Sequence, residues 1–80
     1  MTTNPARLEV LVEPFKENDP GPHVRAAIES IDASGLTSDM GPFATTAEGE
    51  LEQAIVAATA LIRASFDAGA DAIQLRIERT

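Results

Sequence analysis

A chain of 80 residues with a formal net charge of −7 and no cysteine is restricted in what it can be. Its length fits one small domain spanning residues 1–80, which buries only about 60–65% of its unfolded surface. Six scattered bases argue against nucleic acid and anionic membranes, and the missing thiols exclude disulfides and thiolate metal sites.

The elements can be taken in order. Residues 1–5 are polar and contain no apolar run of signal-peptide type, so a cytoplasmic location is expected. Arg7 to Phe15 alternates. Leu8, Val10 and Val12 fall on one side, and Arg7, Glu9, Leu11 and Glu13 on the other. That is the pattern of a half-buried strand, and Pro14 should end it, because proline cannot donate to a ladder. A polar, turn-forming connection follows, and Pro22 then suits the first position of a helix. Val24, Ala27, Ile28 and Ile31 make one apolar stripe, and Gly35 supplies the left-handed stop.

Leu36 to Met40 reads as a second strand because it leads through the turn Gly41-Pro42 into a third, Phe43 to Glu48. Which face of that third strand meets the core is open. Phe43, Thr45 and Ala47 point one way, and Ala44, Thr46 and Glu48 the other. Leu51, Ile55, Ala58, Ile62 and Phe66 then recur at three- and four-residue steps, with Leu61 broadening the stripe, and predict a second helix. Glu50 and Glu52 suit its first turn. Its alanines allow close packing, and Gly69 ends it. The alternation of Ala72 to Arg79 predicts a last strand, with Ile73, Leu75 and Ile77 inward. The longest apolar-rich segment, Leu51 to Ala70, is interrupted by charge, so it is no membrane span.

The order β-α-β-β-α-β, with a single apolar stripe on each helix, predicts an α+β, ferredoxin-like sandwich. Both helices cover one face of an antiparallel sheet of strand order 4-1-3-2. The other face is left open. Glu9 or Glu13 is expected to pair there with Arg76 across neighbouring strands. Leu11 on an open face points to burial by a partner or ligand.

Catalytic and metal motifs are missing. The one histidine, His23, stands at a helix start and reads as an exposed residue or as a hydrogen-bonding group at a loop edge. Glu13 and Glu48 end oppositely directed strands, so they fall at opposite edges and cannot cooperate as acid and base. Glu48 is more simply a partner for Arg7 or a carboxylate near the second helix's start. No glycine-rich loop has a nucleotide fingerprint, and the isolated aspartates make no metal spacing. Neither a cofactor nor a metal is expected.

Certain residues carry a family likeness. Val12-Glu13-Pro14-Phe15, Gly35-Leu36, Gly41-Pro42-Phe43-Ala44-Thr45 with Glu48-Gly49-Glu50-Leu51, and Gly69-Ala70-Asp71 together resemble the YkoF-type thiamine-binding proteins. The likeness runs over nearly the whole chain. It implies a ferredoxin-like cytosolic protein that binds thiamine or its hydroxymethylpyrimidine moiety without catalysis. It also implies association through the sheets as dimers or tetramers. On that reading the ligand-binding residues are Leu11, Glu13, Phe43 and Thr45. Leu11 and Ala44 depart from the family pattern, which bears on specificity. The chemistry is compatible: Thr45 can donate or accept, Glu13 can accept from an exocyclic amine, Phe43 or Phe15 can cover a ring, and a thiazolium cation suits an acidic protein. The alternatives are an oligomerisation domain with no small ligand and an enzyme using Glu13 or His23 as base.

Overall fold

The computed structural model describes residues 4–15, 21–41 and 44–80. Strand β1 (Pro5–Glu13) is followed by α1 (Pro22–Ala33), β2 (Thr37–Met40), β3 (Thr45–Glu50), α2 (Leu51–Asp67) and β4 (Ala72–Arg79). The four strands form one sheet in the order β2-β3-β1-β4, with every adjacent pair antiparallel. This is the expected ferredoxin-like α+β arrangement.

The alternation of β1 is realised as its residues dictate. Ala6, Leu8, Val10 and Val12 are buried, and Leu8 is fully enclosed. Ile31, Val24 and Ala27 of α1 and Leu61 of α2 complete the core above them. On β3, Thr45 and Ala47 are buried, which settles the face left open by the sequence. Gly35 has φ of +88° and Gly69 of +106°, so both helices stop where glycine tolerates the left-handed turn.

The second helix departs from expectation. Its buried residues are Ala54, Ala57, Ala58, Leu61 and Ser65. Ile55, Ile62 and Phe66 of the expected stripe are exposed, whereas its Ala58 and Leu61 are buried. The physical reason is proximity. A helix lying on a sheet and against a neighbouring helix packs closest through its smallest side chains, and the alanines are on that side. Glu50 precedes the helix as its N-cap rather than lying in its first turn. Its backbone N–H donates to Gln53 Oε1 at 3.1 Å, and its carboxylate accepts from the Asn4 N–H at 3.1 Å, so the cap ties the helix start to the start of β1.

Candidate functional site on the open sheet face

The register brings the outward residues of the strands together. Glu9 stands opposite Thr46 on β3 and Arg76 on β4, Leu11 opposite Gln74, and Arg7 opposite Glu48 and Glu78. Thr46 and Glu48 in turn face Asp39 and Thr37 of β2. Period two keeps all of these on the side away from the helices.

A cleft of about 410 Å³ opens on this side, lined by Glu9, Leu11, Ala44, Gln74, Leu75 and Arg76. Leu11 is half-buried on a face that no helix covers. Beside it, Gln74 Nε2 donates to Glu13 Oε2 at 3.4 Å. The expected pairing of Glu9 or Glu13 with Arg76 gives way to another. Arg76 meets Glu78 at 3.1 Å, two residues along its own strand. Arg7 reaches Glu9 at 3.9 Å and Glu78 at 3.8 Å. Glu78 sits opposite Arg7 in the ladder and on the same face as Arg76, so it serves both guanidinium groups. These pairs are exposed and contribute only about 0–1 kcal/mol each.

Of the four residues expected to bind ligand, Leu11 and Glu13 are brought together on this face, with Gln74 between them. Thr45 lies on the opposite side of the sheet, 5% exposed, against Val10, Val24 and Ala27. Phe43 lies outside the described residues. Phe15 packs on the core rather than over the open face. His23 is half-buried, and its Nε2 donates to the Pro14 carbonyl oxygen, so it is engaged with the end of β1 rather than exposed at a helix start. The Glu13–Pro14 peptide beneath it is cis.

Glu9, Ala44, Gln74, Leu75 and Arg76 line the cleft but are not among the ligand-binding residues expected from the sequence. The outward alternation of the last strand was the available signal for Gln74 and Arg76. The face as a whole carries Glu9, Glu13, Asp39, Glu48 and Glu78 against Arg7 and Arg76. It is therefore an acidic surface with an apolar centre and one amide. Such a surface can hold a small planar cation that also presents hydrogen-bond donors. No group of three metal-ligating side chains occurs among the described residues, and no helix there is long and apolar enough to cross a membrane.

Solved structures share this fold. A domain of unknown function, DUF77, from Bacillus cereus is 22% identical with a TM-score of 0.65, covering 100% of this chain and 79% of its own. A candidate thiamine biosynthesis/salvage protein of Thermotoga maritima is 24% identical with a TM-score of 0.66, covering 94% and 81%. A protein of Streptococcus pneumoniae is 18% identical with a TM-score of 0.70, covering 95% and 84%. No curated protein matches the chain. The sequence profile of the thiamine-binding proteins matches residues 8–79, from within β1 to the last residue of β4, and the chain therefore belongs to the thiamine-binding protein family.

Proposed function

We propose that the protein binds thiamine or its hydroxymethylpyrimidine moiety, without transforming it, in the cleft that Leu11 and Gln74 line, with Glu13 beside it. The observation that carries this reading is the Glu13–Gln74 contact beside a half-buried leucine on an otherwise uncovered acidic face. An aminopyrimidine offers an exocyclic amine for the Glu13 carboxylate and ring nitrogens for the Gln74 amide. Its flat face suits Leu11, and a thiazolium is attracted by the surrounding carboxylates. The family match supports the ligand class.

A second copy's sheet is the natural closure of the cleft, and association through this face belongs to the same proposal. Two bare faces with five carboxylates to two arginines each repel when apposed, and a bound cation between them relieves that repulsion. Closure is therefore linked to the ligand. Leu11 also favours a second reading, in which the face joins copies with no small molecule; assembly by that route does not depend on added thiamine.

Titration calorimetry with thiamine and with hydroxymethylpyrimidine is the test. Binding of one or both is expected. Glu13→Gln is expected to weaken it about ten- to a hundredfold, in line with the ~1.5–3 kcal/mol of a hydrogen bond to a charged group. No heat and no thermal shift at about millimolar ligand, where even the weakest useful affinity registers, would remove the proposal.

A further inference from the structure

Glu13 is the last residue of β1 and stands opposite Ala72 at the end of the β1–β4 ladder. Pro14, which follows, has no backbone N–H with which to extend the pairing. A carboxylate carried at a strand end moves with the fraying chain unless the chain beyond it is held. Here two successive carbonyl oxygens are held. The Asp71 N–H donates to that of Glu13 at 2.8 Å, and His23 Nε2 donates to that of Pro14. Asp71 leads into β4 and His23 lies in the first turn of α1, so the two ties come from different elements.

The His23 tie has a firm base. Helix α1 is anchored in the core through Val24, Ala27 and Ile31. The N–H groups of Val24 and Arg25 both return to the Gly21 carbonyl oxygen, at 3.1 and 3.2 Å. The half-buried imidazole lies against Gly21. A Cβ built on that glycine falls 2.6 Å from His23 Cε1 and 2.9 Å from Nδ1. The backbone of Gly21, at φ −77° and ψ 178°, is open to any residue. What glycine supplies at this position is therefore room for the ring, and a side chain there would displace it.

We propose that His23 is a positioning residue for the Glu13 carboxylate, and that Gly21 makes the space its ring occupies. The role rests on the binding function proposed above. His23 is engaged with the main chain and is not part of the lining of the cleft. It acts through the backbone. Fixing Pro14 fixes the direction in which Glu13 leaves the ladder, and so its reach to Gln74 Nε2 and to an amine offered in the cleft. The Glu13–Gln74 contact, at 3.4 Å, is long for a hydrogen bond and orients the carboxylate only weakly by itself. The main-chain ties therefore set where it stands. A binding group held in place beforehand costs less to order when the ligand arrives.

A double-mutant cycle read by titration calorimetry with thiamine and with hydroxymethylpyrimidine provides the test. His23→Ala is expected to raise Kd about two- to tenfold, the size of one neutral hydrogen bond. Gly21→Ala should act in the same direction by displacing the ring. His23→Gln, whose amide N–H has a similar reach, should keep most of the affinity. In a Glu13→Ala background, His23→Ala should cost no further affinity, a result that a merely structural role would not give. Hydrogen exchange of the ligand-free protein adds a second readout. The Asp71 amide should exchange at least about tenfold faster in His23→Ala, while that of Leu61, inside α2, changes less. The proposal is overturned by equal losses of affinity from His23→Ala with and without the Glu13 side chain, or by equal exchange at Asp71 and Leu61. Wild-type protein that binds neither ligand removes the binding function and this role with it; binding with additive variants removes the role alone.

Discussion

Gly49 shows how tightly single positions are set in this small core. A Cβ built there lies 2.3 Å from Leu36 Cδ2 and 3.0 Å from Gln53 Oε1. Leu36 is 5% exposed and has little room to retreat, while Gln53 is held by its bond to the Glu50 N–H. One methyl group therefore disturbs the packing of the β2 entry and the cap of α2 together. Gly49→Ala is expected to cost about 1–3 kcal/mol, the usual range for overpacking, and chemical denaturation with an unchanged midpoint would contradict that. At this scale the sequence was partly readable. Gly49 could be recognised as turn punctuation between a strand and a helix, but its role is close approach, which depends on where Leu36 arrives from 13 positions away.

The elements differ in how much their own residues disclose. Strand β1 alternates apolar and charged side chains cleanly, so its inward set could be read directly and is the set found buried. Helix α2 is apolar over most of its circumference, and periodicity cannot phase such a helix. The larger residues drew the reading toward Ile55, Ile62 and Phe66, whereas the packed side is built of alanines with Leu61 and Ser65. Ser65 is fully buried, and its hydroxyl has no hydrogen-bond partner among the described residues. An unsatisfied buried hydroxyl costs about 1–3 kcal/mol. Ser65→Ala, which also improves helix propensity, is expected to raise the melting temperature, and a clear fall would show that the hydroxyl is satisfied after all. The third strand was ambiguous for a related reason, since threonine and alanine suit either face of a sheet. Only pairing with Val10 and Leu8 decides for Thr45 and Ala47.

At the level of the whole molecule the topology was legible, because two single-striped helices and four strands leave few right-handed solutions. The cleft was legible only in part. Leu11 and Glu13 come from one strand, but Gln74 and Arg76 join them through a register that pairs residues more than sixty positions apart, and no local pattern encodes that. The excess of carboxylates over arginines on this face has a consequence for recognition. Affinity for cationic thiamine is expected to fall as salt is raised from about 20 mM to about 300 mM, where the screening length shortens severalfold. Affinity for neutral hydroxymethylpyrimidine should change little. Equal salt sensitivity of the two ligands would place the binding energy elsewhere than in the acidic field.

The position of β4 at the rim of the sheet matters for solubility. It is eight residues long and pairs only with β1, so its outer backbone amides and carbonyls form a template on which another extended chain could grow. Arg76, Glu78 and Arg79 interrupt that template with alternating charge, as gatekeepers against fibril growth. The salt bridges of Arg76 and Glu78 add little to the energy of folding, whereas their charges work against a further strand adding at this rim.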